Sequence, residues 1–209
     1  MSNISKRIDR LIELAQLDII EEQSTVIEDA EKCDIIRRFG IVDHRGVYNA
    51  CVDVKGFDKP MRGRSEIIIF RDGKIYMNPN TGKNEFYSRF PGGGWNKNEN
   101  PATAAAREAQ EEVYLNVRNV RYAGTFIKYS DKVVKWVKEN IPEKDWWYGY
   151  YTKLYIADYD GKYTGRVDEE DKDDIAKTIK LYDIDEVYHS LSSYYKRAVD
   201  IYLGKNTNK

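Results

Sequence analysis

The sequence predicts an α+β fold, in which the main domain contains both strands and helices and a helical extension precedes it. Three observations support this prediction. Apolar residues recur every three or four positions near the N-terminus, strand-like segments with a strong hairpin turn follow, and a well-capped helix comes directly after a glycine-rich loop. With 209 residues, of which 41% are hydrophobic and 33% charged, the chain has the composition of a globular protein rather than a disordered one.

The charge balance and the cysteine count exclude several classes of protein. Lysine and arginine total 34 against 35 aspartates and glutamates, so the net charge of -1 gives no overall attraction for nucleic acid or an anionic membrane. No apolar run approaches the roughly 20 residues that span a bilayer, and the first residues lack a signal-peptide core, so a cytoplasmic protein is expected. Cys33 and Cys51 lack metal-ligand spacing, which favours two reduced structural thiols.

The first predicted elements form a helical extension. Residues 4–22 carry apolar side chains on one helical face, and these are Ile8, Leu11, Ile12, Ala15 and Ile19. Thr25 and Glu28 have capping-box spacing, which predicts a second short helix over residues 25–38. The apolar face either covers the main domain or pairs with a second copy of the chain, so a homodimer through the extension is one hypothesis.

Strands and turns are predicted after this extension. Residues 47–54 favour a short strand, and residues 66–70 and 74–77 flank Asp72-Gly73, which is a strong hairpin turn signal. Residues 78–100 are rich in glycine, asparagine and proline and are predicted to form a loop. The later predicted elements are strands at 120–129, 148–157 and 179–182, an acidic loop at 168–174 and a closing helix at 185–203.

The helix predicted after this loop begins at Asn100, a good N-cap, and runs to about residue 114. Three of its acids, Glu108, Glu111 and Glu112, share one face, where like charges cost an isolated helix roughly 0.2–0.5 kcal/mol per pair. Mg²⁺ would offset this cost because it prefers carboxylate oxygens; the alternative is a solvated acidic face. The glycines at 92–94 favour the cation, since their backbone can approach an ion or a phosphate closely.

Loop and helix together resemble the Nudix box, GX5EX7REUXEEXGU, in which U is a bulky aliphatic residue. The chain has Gly93, then Glu99 after five residues, and then REAQEEVYL, which begins at Arg107 after seven more. Ala109 is smaller than the usual U residue, which affects packing. Tyr114 stands where the family has glycine, so the helix is expected to end in a different way.

The resemblance implies a Nudix-type α/β/α sandwich over residues 61–204, with residues 1–60 as an extension and 205–209 as a frayed tail. It also implies hydrolysis of a nucleoside diphosphate linked to another moiety, through attack of water at phosphorus with Mg²⁺ or Mn²⁺. The implied metal ligands are the carbonyl of Gly92 and the carboxylates of Glu108, Glu111 and Glu112.

The same resemblance implies catalytic roles beyond metal binding. Arg107, together with Glu99, is implied to orient the ligating acids, and Glu111 and Glu112 to take part in catalysis. The general base is left open between Glu112 and an acid of the later loop, for which the candidates are Glu169, Glu170, Asp173 and Asp174.

Substrate-binding residues are harder to predict. Arg62, Arg64 and Arg89 could meet phosphates and Trp147 could stack on a base, although each is alternatively a surface charge or a core aromatic. Two other functions stay open. The first is a catalytically weak nucleotide-sensing protein, suggested by Tyr114 and the extension; the second is action on capped RNA, suggested by lysines interleaved with aromatic residues over 128–138.

Overall fold

A computed structural model describes residues 24–27, 35–42, 48–78, 90–163 and 179–205. Its strands are β1 Ser24–Ile27, β2 Ile35–Val42, β3 Tyr48–Val54, β4 Met61–Arg71, β5 Lys74–Met77, β6 Gly92–Gly94, β7 Leu115–Ser130, β8 Gly149–Tyr163 and β9 Lys180–Asp183. Its α-helices are α1 Pro101–Val113, α2 Asp131–Asn140, α3 Ile184–Val187 and α4 Ser193–Tyr202, with 3-10 turns at Glu143–Asp145 and Tyr188–Ser190. A mixed β-sheet with flanking helices confirms the predicted α+β class.

The chain forms two compact units, and their boundaries fall within β4, β7 and β8. The first unit comprises Met1–Gly63 and Thr125–Tyr151, and the second comprises Arg64–Gly124 and Thr152–Lys209. In the first unit, β2 pairs antiparallel with β3, β3 with the start of β4, and β1 with the end of β7. The strand predicted over residues 47–54 is therefore confirmed as β3.

The N-terminal part of the first unit corrects the sequence analysis. The helix predicted over residues 25–38 is wrong, because Ser24–Ile27 and Ile35–Val42 are strands. Both segments are rich in isoleucine and valine, whose β-branched side chains favour strands when a pairing partner is present. Neither partner strand could be identified from local spacing alone. The helix predicted over residues 4–22 lies outside the described residues.

Between β7 and β8 the chain forms α2, a helix that the sequence analysis did not predict. Its buried residue Val137 packs with Ile141 and Trp147 in one apolar cluster. Cys51 of the same unit is a buried thiol outside any disulfide, whereas Cys33 lies outside the described residues. In the described ranges, no helix is long and apolar enough to cross a membrane.

In the second unit, β4 and β5 form the predicted hairpin, with Arg71 opposite Lys74. Asp72 and Gly73 both have positive φ angles, of 50° and 76°, as a two-residue type I′ turn requires. β9 pairs antiparallel with β5, so the strand predicted over residues 179–182 is present with a shift of one residue.

Strand β4 carries a helix on each of its faces within this unit. One face packs against the small residues of α1, in a cluster that includes Ile67, Ile69, Ala105 and Ala109. On the opposite face, Phe70 stacks on Tyr202 of α4 with ring centroids 3.5 Å apart. Because successive side chains of a strand point to opposite faces, neighbouring residues of β4 pack against different helices, α1 on one face and α4 on the other.

Helix α1 begins as predicted but ends differently from the expectation. The side chain of Asn100 accepts a hydrogen bond from the N–H of Ala102 at 2.8 Å, so the N-cap is confirmed. At the other end, Tyr114 itself adopts the left-handed conformation, with φ 57° and ψ 26°, and its N–H bonds to carbonyls of α1. The expectation that a helix without this glycine must end in another way is therefore wrong. Tyrosine accepts the conformation at a cost of about 1–2 kcal/mol.

Two other predicted elements are modified. The closing helix predicted over residues 185–203 is divided into α3, a 3-10 turn and α4, which begins only at Ser193. Within the predicted loop, residues 92–94 form the short strand β6, which pairs with β4. The acidic loop at 168–174 lies outside the described residues.

Candidate functional site

The candidate site lies in the second unit, where β6, hereafter the glycine turn, meets the polar side of α1. The turn pairs antiparallel with β4, which places Gly92 opposite Glu66. The N–H of Gly92 donates to Oε2 of Glu112 at 2.9 Å. A methyl group on Gly93 would overlap the carboxylate of Glu108, so a side chain there would require the end of Glu108 to move. The fold therefore brings the glycine turn into contact with two of the three predicted acids.

Arg107 holds two of the acids of α1 in place. Its Nε and Nη2 donate to the two carboxylate oxygens of Glu99 at 2.9 and 3.0 Å, and Nη2 also donates to the carbonyl of Gly94 at 2.9 Å. Nη1 donates to Glu108 at 2.7 Å and to Glu111 at 2.6 Å. The hydrogen bonds to Glu99 are the main reason that the pKa of Arg107 is raised. The planar guanidinium thus links the turn to α1, while the orienting role that the resemblance implies for Arg107 stays a prediction.

Burial changes the protonation of the two acids nearest the turn. It raises the pKa of Glu112 to about 7; the hydrogen bond from the Gly92 N–H opposes this shift, and the charge of Glu108 adds to it. Burial also raises the pKa of Glu108, although the charge of Arg107 opposes the change. Two carboxylates that ionise reluctantly in a confined space are stabilised by a nearby cation. The negative charge of the two carboxylates and their oxygen donors therefore make the site suitable for a positive ion.

The three acids do not form a ready-made cage for that ion. The side chain of Glu111 is 56% exposed and is bonded to Arg107. Across the described residues, no group of three acidic, histidine or cysteine side chains converges where one ion could contact all of them. Glu111 would have to leave Arg107 to join Glu108 and Glu112. The metal-ligand roles of these acids and of the Gly92 carbonyl stay predictions.

The predicted substrate-binding residues lie in different places. Arg64 is in the second unit, where its Nη2 donates to the carbonyl of Gly92 at 2.9 Å. Arg62 and Trp147 belong to the first unit, where the guanidinium lies 5.6 Å from the indole centroid. Trp147 is only 3% exposed, which favours its interpretation as a core aromatic. Arg89 and the candidate base Glu170 fall outside the described residues.

Several residues that support the site were missed by the sequence analysis. Ser65 donates to the carbonyl of Pro101 at 2.7 Å and accepts from the indole of Trp95 at 2.8 Å, which ties β4 to the start of α1. The next residue, Glu66, is buried and accepts a hydrogen bond from Tyr195 of α4. A polar pair directly before the apolar run IIIF was the available signal, because a buried acid in a strand needs partners.

The chain matches the NUDIX domain family over residues 61–201. No curated protein matches it. Among solved structures, it is similar to a NUDIX hydrolase from Nitrosomonas europaea, with 15% identity, a TM-score of 0.44 and coverage of 70% of this chain and 91% of that one. It is also similar to a MutT NUDIX hydrolase from Burkholderia pseudomallei, with 18% identity, a TM-score of 0.43 and coverage of 66% and 95%.

Proposed function

This chain belongs to the Nudix family and is a Nudix hydrolase, and from this premise we propose that it cleaves a phosphoanhydride bond in a nucleoside diphosphate linked to another moiety, with Mg²⁺ or Mn²⁺. The observation that supports the proposal is the pair of acids at the glycine turn. Glu108 and Glu112 are held against a backbone bend with raised pKa values, where Arg107 donates to Glu108 and the Gly92 N–H donates to Glu112.

The substrate is an anion that repels nucleophiles, so the reaction needs both charge neutralisation and an activated water. Glu108, Glu111, Glu112 and the Gly92 carbonyl would hold the divalent cation, whose contribution is to neutralise phosphate charge and make water more acidic. Glu112, whose pKa is raised by burial in the metal-free chain, would accept a proton from the attacking water. Glu170 and its neighbours in the acidic loop are the alternative base.

Arg107 supplies position rather than chemistry in this proposal. Its five hydrogen bonds to Glu99, Gly94, Glu108 and Glu111 leave the guanidinium committed to the protein. Residues that orient ligating carboxylates affect metal affinity and activity by roughly 10- to 100-fold when they are changed. Arg107 is therefore a positioning residue, and the ligating acids depend on it.

The proposal is tested with a panel of nucleoside triphosphates, ADP-ribose, NADH, dinucleoside polyphosphates and capped RNA, each with and without Mg²⁺. We expect metal-dependent cleavage of at least one compound, and a loss of about 100-fold or more in kcat for Glu112→Gln. Glu186→Gln, which changes an exposed acid of α3, is the matched control and should retain full activity. Equal activity in the two variants would remove Glu112 from the mechanism.

The panel also separates the alternatives that the sequence left open. Nucleotide binding without turnover in any compound would favour a sensing protein. One reason for that alternative is weaker now, because Tyr114 completes the end of α1 in the conformation that glycine would adopt. Cleavage confined to capped RNA would identify an RNA-directed enzyme.

A further inference from the structure

Glu66 is a buried acid that the proposed chemistry does not use. It lies in β4, opposite Gly92 of the glycine turn, and is 4% exposed. A methyl group on Gly92 would come within 2.7 Å of Cγ of Glu66, so the acid packs directly against the turn. A carboxylate in such a place is stable only if protein donors compensate it.

Both carboxylate oxygens of Glu66 have such donors. The hydroxyl of Tyr195 donates to Oε2 at 2.7 Å, and Nη2 of Arg64 lies 3.2 Å from Oε1. The same Nη2 donates to the carbonyl of Gly92 at 2.9 Å. A continuous series of contacts therefore joins α4 to the glycine turn through Tyr195, Glu66 and Arg64.

Gly92 is held at both of its backbone polar groups. Its carbonyl accepts from Arg64, and its N–H donates to Glu112. The two groups belong to the successive peptide units on either side of the Gly92 Cα, and the orientation of these units decides where the carbonyl points and where the carboxylate of Glu112 is kept. A displacement of about 1 Å at such a position is enough to lower activity by two orders of magnitude.

We propose that Tyr195 is a positioning residue for the hydrolytic site. Its hydroxyl fixes Glu66, Glu66 fixes Arg64, and Arg64 fixes the carbonyl of Gly92. The catalytic consequence rests on the proposed function, but the positional effect does not. Helix α4 thereby takes part in the site although it contributes no residue of the Nudix box.

Tyr195→Phe is the decisive variant because it removes only the hydroxyl. The ring of Tyr195 packs edge-on against Phe90 at 4.8 Å, and phenylalanine keeps that contact. Tyr188→Phe is the matched control. Like Tyr195→Phe, it removes one tyrosine hydroxyl that donates to a carboxylate. The acceptor in this case is Asp200 of α4, at 2.8 Å.

The first measurement needs neither metal nor substrate. Amide hydrogen exchange at Gly92, followed by NMR in the metal-free protein, should be about tenfold faster in Tyr195→Phe than in wild type. Tyr188→Phe should exchange at the wild-type rate at this position. Exchange at Gly92 that is equal in the two variants would overturn the proposal, and this result is readable even if no compound of the panel is hydrolysed.

The second measurement uses Mn²⁺ alone, titrated into each variant. We expect Tyr195→Phe to bind Mn²⁺ about 10-fold more weakly than wild type, with kcat lowered more than KM is changed. Glu66→Gln should show the same pattern, and combining it with Tyr195→Phe should add little, since both act through one series of contacts. Additive losses, or an equal loss in Tyr188→Phe, would indicate a purely structural role and would contradict the proposal.

Discussion

Burial beside the glycine turn sets the protonation of Glu112. Its carboxyl group loses hydration, lies close to Glu108, and retains one compensating hydrogen bond from the Gly92 N–H. The result is an acid that ionises near neutral pH instead of near its ordinary value of 4.5. A carboxyl group with a raised pKa is suited to proton transfer, but its ionised form destabilises the folded state. This loss of stability should be measurable in the metal-free protein.

We predict that Glu112→Gln changes how stability depends on pH. In the folded wild type, the pKa of Glu112 is raised to about 7, whereas in the unfolded chain it has its ordinary value of 4.5. Between these two pH values the folded chain therefore binds more protons than the unfolded chain. The free energy of unfolding should therefore fall as pH rises from about 4.5 to 7, by roughly a few kcal/mol, and then level off. Glu112→Gln should lack this part of the fall. Urea denaturation of the metal-free proteins across this range measures it, and parallel curves would contradict it.

Among the elements, α1 carries most of the site and has an unusual end. Tyr114 occupies a left-handed conformation that L residues other than asparagine and aspartate seldom adopt, while the residue as a whole is only 8% exposed. Burial of the ring offsets the backbone strain. The two effects can be separated with a pair of variants that both lack the ring.

We predict that Tyr114→Gly is more stable than Tyr114→Ala by about 1 kcal/mol, because only glycine adopts this conformation without strain. Both variants should be less stable than wild type, since each removes a buried aromatic ring. Chemical denaturation of the three proteins gives the comparison. Equal stability of the glycine and alanine variants would show that the strain at residue 114 is negligible.

The elements that were predicted correctly have local signals, and the others do not. The N-cap of α1 and the Asp72-Gly73 turn each depend on neighbours in sequence, so spacing was sufficient. Strands β1 and β2 depend on pairing with β7 and β3, which no local pattern reports. A capping-box spacing at Thr25 was outweighed by that pairing.

At the scale of the whole molecule, the candidate site was predictable only where it is contiguous in sequence. The turn, Arg107 and the acids of α1 fall within one short motif with fixed spacing. The Tyr195–Glu66 hydrogen bond joins residues 129 positions apart, and only the folded chain brings them together. The involvement of α4 therefore had to come from the structure.

The hypothesis of a homodimer through the N-terminal extension also belongs to this scale. We predict that the full chain has the mass of a dimer in light scattering and that deletion of residues 1–23 gives a monomer, because the apolar stripe over residues 4–22 is then lost. The deletion ends before Ser24, since β1 and β2 pair within the first unit. A monomeric full chain, or a dimer that survives the deletion, would refute the hypothesis.

The crowding at the glycine turn restricts how this hydrolase can diverge. A side chain at Gly92 would strike Ser65 and Glu66, and one at Gly93 would strike Glu108. The first methyl group at Gly92 meets backbone atoms that cannot move aside, whereas at Gly93 it meets only the end of the Glu108 side chain. Gly92 is therefore the position of the turn most strictly confined to glycine, and we expect new substrate preferences to arise elsewhere along the chain.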